Sequence, residues 1–292
     1  MCKIQLTSFT DKKYNYELMY KWCNQKFVYE WFEQKKLSFY EIEKKYKNKL
    51  LDGKQYLFFI NYNNIKIGFV QIYKYNDEKI YELCNCNNIF EYDIFIGESE
   101  YLYRGIGSQI ISYINNYIYE NYLCDCIVLR PFSTNTIAIK CYEKCGFKKI
   151  NERLGTDTLG KKRRITVLLN KLDRWTFGAD ADRLVNLVLD GKKTATTYLY
   201  ESDNICKIGD ISILTDLDDN RVCVLKTMKL FVTEFKNISW DLAKLEGENK
   251  TLDEWRESHM NYFNKIDPNF NKDTKVIFEV FEVIKIPNHI NS

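Results

Sequence analysis

The stretch DIFIGESEYLYRGIGS, residues 93–108, reads as the end of a strand, a polar connection, and a glycine-bearing turn that opens a helix. Its decisive part is Tyr103-Arg104-Gly105-Ile106-Gly107-Ser108. The first turn of a helix leaves backbone N–H groups without partners and carries partial positive charge, and glycines there let an anion come close to those amides. The turn is therefore a candidate cradle for a pyrophosphate. An isolated RGIG also serves as a plain turn with no ligand, so its neighbours must decide.

Working outward, residues 89–96 read as a strand. Residues 108–122 read as a helix with Ile110, Ile111, Ile114 and Ile118 on one face. Upstream, residues 55–62 and 65–75 form a predicted antiparallel hairpin joined at Asn63-Asn64. Residues 16–50 read as helical, with a second amphipathic stretch after Ser38. Downstream come a short buried strand at 126–129, a helix at 136–145 stopped by Gly146, and a strand at 164–169. The second half reads as a helix at 181–189 and a hairpin turning at Asp218-Asp219-Asn220. A helix capped by Thr251 and Glu254 and a long strand at 275–286 follow.

A second motif, NTIAIKCYEKCGF at residues 135–147, follows the turn by about thirty residues. The pair resembles the RGIG turn and NxxAxxxYExxGF segment of the GNAT N-acetyltransferase superfamily. That resemblance implies acetyl-CoA as cosubstrate and a mixed sheet splayed between its fourth and fifth strands. It implies the pantetheine arm along the fourth strand at Phe95 and Ile96, and the pyrophosphate on Arg104, Gly105, Ile106, Gly107 and Ser108. Asn135 would contact the cofactor and Tyr142 would lie near its sulfur.

The run from Asp93 to Gly105 resembles the aminoglycoside 6'-N-acetyltransferases, in which an aspartate and a FIGE stretch precede the glycines at this spacing. The resemblance puts Asp93 in the catalytic position and an aminoglycoside in the acceptor site, with antibiotic resistance as the role. The family has Gln where this chain has Ile94. Glu91 and Asp93 alternate with Tyr92, so both carboxylates face one side of the strand, and Glu98 and Glu100 follow as a rim for ammonium groups. A solvated acidic edge is the alternative for the last two. The expected reaction is direct transfer, with strand N–H groups holding the oxyanion, Asp93 orienting the amine and accepting its proton, and Tyr142 protonating the thiolate. Tyr142 could also serve as cofactor packing alone. Trp22, Glu30 and Trp31 in the first helices, and Asp157 before the last strand, are further acceptor-site candidates. Aromatics at helical spacing also make ordinary core.

With 292 residues, at roughly 150 per domain, the chain should hold two domains, set at 1–171 and 172–292. The junction lacks the composition of a flexible linker. The second half resembles the ASCH domain, a small PUA-like β-barrel, through LDGKKTAT (189–196), IGD (208–210) and EGENKTLDEWRESH (246–259). In members that hydrolyse acetylated cytidine a Lys, a Thr and a Glu form the site, which falls here on Lys193, Thr196 and Glu248. Ligand binding without catalysis, and RNA binding, stay open beside it. The fold class expected overall is α+β.

Apolar residues make up 45% and charged residues 28%, as in ordinary globular proteins, and the net charge of +3 predicts no nucleic-acid stripe. No run of 18 apolar residues occurs, and the N-terminus lacks a signal-peptide layout, so a cytoplasmic protein without a membrane partner is expected. Six of the ten cysteines fall in close pairs, Cys84/Cys86, Cys124/Cys126 and Cys141/Cys145, which suits buried thiols. The two histidines, His259 and His289, lie far from them, so no metal is expected. Nothing in the sequence marks an oligomer interface. Two other readings remain: acetylation of a nucleoside, polyamine or peptide amine, and an RNA- or nucleoside-binding protein whose first half modifies the bound partner.

Overall fold

A computed structural model describes residues 3–77, 80, 81, 84, 86, 88–201 and 206–286; His289 lies outside them. The chain divides into two compact units, Met1–Lys171 and Leu172–Ser292.

The first unit is built on a seven-stranded sheet in the order β1-β2-β3-β4-β5-β7-β6. The strands are β1 (Ile4–Ser8), β2 (Gln55–Tyr62), β3 (Ile65–Lys74), β4 (Ile89–Ile96), β5 (Cys126–Leu129), β6 (Lys148–Thr156) and β7 (Lys162–Lys171). Every neighbouring pair is antiparallel except β4 and β5. Those two run parallel and pair at Ile89–Cys126, Phe90–Ile127 and Glu91–Val128. β4 then continues to Ile96 along β3, while the chain after β5 reaches Arg130-Pro131. Proline has no N–H to extend a ladder, and the Pro131 carbonyl accepts from Thr166 N–H at 3.0 Å on the β7 side. The sheet forks at this point.

Helices α1 (Lys13–Cys23), α2 (Lys26–Tyr29) and α3 (Phe39–Asp52) occupy the span expected to be helical. It is broken after Cys23 and again near Gln34, which takes a left-handed φ of 57°. Asn24 bridges the second break, donating to the Leu37 carbonyl at 2.9 Å and accepting from Leu37 N–H at 3.1 Å. α3 restarts at a capping box in which Ser38 and Glu41 satisfy each other's backbone N–H. Tyr16, Met19, Trp22, Ile42 and Tyr46 from α1 and α3 pack on Phe59, Phe69 and Phe95 of the sheet. Helix α4 (Ile106–Asn121) buries the isoleucine face read from the sequence, and α5 (Thr136–Lys144) follows β5. β1 and β6 are edge strands with few buried side chains, and for that reason carry no alternating apolar pattern to read.

The second unit is a curled five-stranded sheet, β8 (Asp173–Trp175), β10 (Ile211–Thr215), β11 (Arg221–Glu234), β12 (Lys275–Lys285) and β9 (Ala195–Leu199), in that order. Register shifts between β11 and β12 at Val224/Leu225 and Thr227/Lys229 bend the two longest strands. Helices α6 (Ala181–Leu189), α7 (Trp240–Ala243) and α8 (Leu252–Ile266) complete it, with Thr251 capping α8 as its sequence indicates. Among the described residues no helix is long and apolar enough to cross a membrane.

Gly97, at the end of β4, lies against the Trp22 indole. A Cβ there would stand 2.2 Å from Trp22 Cγ. Gly97→Ala is expected to cost about 1–3 kcal/mol through overpacking, read as a lowered denaturation midpoint; an unchanged midpoint would contradict this packing.

Candidate functional site

Past Glu91 the fork opens into a cavity of about 920 Å³. β4 forms one wall through residues 91–96, and the chain from Leu129 to Phe132 forms the opposite one. At the crotch, Arg130 grips Glu91 with two hydrogen bonds, Nε to Oε1 at 2.8 Å and Nη2 to Oε2 at 2.7 Å. Burial pushes the Glu91 carboxyl up to about 7, against the opposing pull of Arg130. Both Glu91 oxygens are engaged, so this acid braces the fork rather than offering itself to an acceptor amine.

Asp93, two residues on, faces the same cavity. Its Oδ2 accepts from Gln71 Nε2 at 2.6 Å and from Tyr73 Oη at 3.0 Å. Lys49 donates in turn to Gln71 Oε1 at 2.5 Å, which fixes the amide so that its NH₂ points at Asp93. Burial, and then the neighbouring Lys45, bring the Lys49 ammonium down to about 8. Both Asp93 hydrogen bonds among the described residues fall on one oxygen, so Oδ1 remains to face the cavity. Lys49, Gln71 and Tyr73 were not legible as site residues, because they lie on α3 and β3, far from any motif.

Around this acid, Phe27, Trp31 and Phe32 supply an aromatic side, and Phe32 meets Phe95 edge-on at 4.8 Å. Trp31 keeps 41% of its surface exposed. Glu33 also lines the cavity, and both of its oxygens accept from Lys45 Nζ at 2.6 Å. Asp157 is held in the β6–β7 turn by the Leu159 and Lys161 N–H groups and by Arg163 Nε at 3.0 Å. Thr158 donates to the Glu33 carbonyl at 2.9 Å and so ties that turn to the segment after α2.

Three other candidates, Trp22, Glu98 and Glu30, lie elsewhere. Trp22 is fully buried in the core, with its indole N–H on Glu98 at 2.9 Å. Lys21 also donates to Glu98 at 2.6 Å, so Glu98 anchors α1 instead of forming a rim. Glu30 pairs with Lys26 one helical turn away and is not on the cavity wall. Helical spacing told that large side chains were present but not which way each α1–α2 face turned.

At the other end of the cavity stand Gly105, Gly107 and Ser108. Gly105 caps α4 with a φ of 74°, a conformation that favours glycine, and the amides of Ile106, Gly107 and Ser108 begin the helix. Ile106 is buried and Arg104 is exposed, so neither side chain is on the wall. Asn135 is on the wall and also caps α5, accepting from Ala138 N–H at 3.2 Å. Lys140 and Lys144 of α5 add cations there that the motif reading overlooked. Tyr142 lies between the two ends; burial first, and then Asp93, push its phenol up, so it stays protonated at neutral pH. Phe95 and Ile96 line the fork wall.

The second unit contains a buried charge network. Lys193 donates to Glu246 at 2.9 Å and to Glu248, Thr197 donates to Glu246 at 2.7 Å, and the Trp255 indole donates to it at 3.1 Å. His259 stacks on Trp255 with its Nε2 3.3 Å from Glu246. Burial alone would raise the Glu246 carboxyl, but Lys193 and His259 hold it down at about 2. Glu246, Glu248 and His259 have the spacing of a metal site, yet the Lys193 ammonium already stands in the cation position. Lys193 and Glu248 are thus in contact, whereas Thr196 precedes Thr197 on β9 and alternates to the other face.

Residues 11–153 match the acetyltransferase (GNAT) domain family, and residues 173–285 match the ASCH domain family. Among solved structures, the aminoglycoside acetyltransferase AAC(6')-Ib with coenzyme A and kanamycin is 17% identical, with a TM-score of 0.47 over 59% of this chain and 95% of that one. Spermidine N-acetyltransferase from Vibrio cholerae with CoA and spermine is 18% identical, with a TM-score of 0.48 over 57% and 95%. An ASCH domain from Lactobacillus crispatus is 25% identical, with a TM-score of 0.37 over 39% and 79%.

Replacing Lys193 with Met would leave the buried Glu246 and the part-buried Glu248 without this cation. Lys193→Met is expected to cost about 3–5 kcal/mol near neutral pH. In the native network Glu246 titrates below its ordinary value, so its contribution is present at neutral pH and lost as pH falls towards about 2. In the variant the sign reverses, and protonation relieves the unpaired charge. Denaturant unfolding at about pH 7 and about pH 5 should therefore show a smaller deficit at the lower pH; equal stability of the two proteins at neutral pH would refute the network's role.

Proposed function

We propose that this chain, a GNAT acetyltransferase domain followed by an ASCH domain, transfers the acetyl group of acetyl-CoA to the 6'-amine of an aminoglycoside. One observation carries the reading: the Asp93 carboxylate is held by Gln71 and Tyr73 inside the fork, within the same cavity as the Gly105–Ser108 turn and Tyr142.

The residues present fit acetyl-CoA. Amides at the start of α4, with Lys140 and Lys144, suit the pyrophosphate, and β4 beyond Glu91 has no β5 partner and offers its backbone edge to the pantetheine amides. Asp93 holds the acceptor ammonium against its exposed oxygen and takes up the proton, directly or through water, as the amine attacks. Much of its contribution is to position the amine. Backbone N–H groups of β4 face the developing oxyanion, and Tyr142 gives its phenolic proton to the departing thiolate. Cytoplasmic acetyl-CoA fits a protein that acts inside the cell.

A cationic acceptor suits Asp93, which among the acids on the cavity wall accepts from neutral donors and has no paired cation, whereas Glu33, Glu91 and Asp157 are held by Lys45, Arg130 and Arg163. An aminoglycoside is favoured over a flexible polyamine by the half-open Trp31 face, a platform for a sugar ring, and by the resemblance of residues 93–105 to the 6'-acetylating family. In the second unit we assign Lys193 and Glu248, but not Thr196 on the other face of β9, to a site for a nucleoside or RNA, supported by the Lys193–Glu248 contact.

The test is thiol release from acetyl-CoA with kanamycin and, separately, spermidine. Rapid turnover with kanamycin is expected, with kcat/KM reduced about 10²-fold or more in Asp93→Asn and less in Tyr142→Phe. Turnover with spermidine alone would overturn the aminoglycoside assignment, and an unimpaired Asp93→Asn would remove that residue from the mechanism.

A further inference from the structure

Three thiols that lie apart in the sequence meet at the closed end of the fork. Cys126 is the first residue of β5 and pairs with Ile89, the first residue of β4. Cys84 and Cys86 belong to the connection that leads into β4. The three Sγ atoms lie within 4.8 Å of one another, and Cys84 and Cys126 are 3.9 Å apart across 42 residues. All three side chains are buried, among Tyr75, Ile89, Val128 and Val167.

Neither Cys-x-Cys pair has the spacing of a zinc motif, which is why the sequence argues against a metal. Strand pairing supplies what spacing does not. Metal–sulfur bonds of about 2.3 Å in tetrahedral geometry put two sulfurs about 3.8 Å apart, and Cys84 and Cys126 already meet that distance. Soft thiolates select thiophilic ions, and a three-sulfur set suits copper(I) as it stands or zinc(II) with water as a fourth ligand.

We propose that Cys84, Cys86 and Cys126 bind a single thiophilic d¹⁰ metal ion, zinc(II) or copper(I), that staples the connection entering β4 to the start of β5. Binding replaces three S–H protons, which leave to solvent, by three metal–thiolate bonds, without any change of oxidation state. Lys171 places a cation beside the set, its ammonium donating to the Cys84 carbonyl at 3.1 Å. The same cation offsets the negative charge that three thiolates leave around a divalent ion. The bound ion would brace the fork from its closed end, as Glu91 and Arg130 brace it from within.

The full-length chain, reduced and stripped of metal under anaerobic conditions, is titrated with zinc(II) against a colorimetric zinc chelator and, in a second arm, with copper(I) against a copper(I) chelator. One equivalent of either ion is expected to be retained, with a higher melting temperature. Mass spectrometry after alkylation should show Cys84, Cys86 and Cys126 protected in the loaded protein while Cys141 and Cys145 react. The double variant Cys84→Ser/Cys126→Ser should lose the retained equivalent, and Cys141→Ser/Cys145→Ser should keep it. Failure of the wild-type chain to retain either ion, or protection of other cysteines in place of these three, overturns the proposal without reference to how the variants fold.

Discussion

The first unit depends on two parallel strands that pair for three residues and then separate. A parallel pair inside a sheet ordinarily shares its ladder to the end, and separating the strands leaves backbone donors and acceptors that must find partners elsewhere. On the β5 side the loss is limited by Pro131, which has no N–H to leave unpaired, and by the turn of its carbonyl towards Thr166. On the β4 side residues 93–96 keep their ladder to β3 and turn a free edge to the cavity. The Glu91–Arg130 pair sits where the strands part. The cavity, the orientation of Asp93 and the approach to the α4 amides all follow from that separation.

Both units bury charge, and the cost of doing so explains how their acids differ. Taking a carboxylate out of water is tolerated when a cation and hydrogen bonds replace its hydration. Glu91, Glu33 and Glu246 each have a dedicated cation, in Arg130, Lys45 and Lys193. Asp93 instead receives neutral donors, Gln71 and Tyr73, on one oxygen. An acid held this way is oriented without being neutralised, which distinguishes a group that can meet an incoming ammonium from groups that hold the frame. Lys49 acts one step back, through Gln71.

Much of this was legible in the sequence. The glycine turn, the 135–147 motif and the alternation of Glu91 and Asp93 placed a helix, a strand and a shared face where the structure has them. The central hairpin and the α4 isoleucine stripe follow from their periods of two and 3.6. Other features were hidden for physical reasons. β6 is polar because it is an outer strand, so nothing in KKINERLGT marks it. Trp22 and Trp31 look alike in sequence, yet one is sealed against Gly97 and the other borders the cavity, because the break after Cys23 lies between them and turns their faces apart. Glu246 and Thr197 flank the residues singled out by motif, and it takes the folded sheet to show that they complete the Lys193 network. Partners set by tertiary pairing, such as Gln71 with Asp93 or Cys84 with Cys126, leave no mark on local pattern.

If the fork is the seat of the acetyl donor, coenzyme A should protect the backbone on its two sides and little else. Amide hydrogen exchange of the full-length chain, with and without coenzyme A, tests this directly. Slowed exchange is expected in residues 93–96 of β4 and 105–108 at the start of α4, with β9 to β12 unchanged. Exchange that is unaltered in both segments, or protection confined to the second unit, would contradict it.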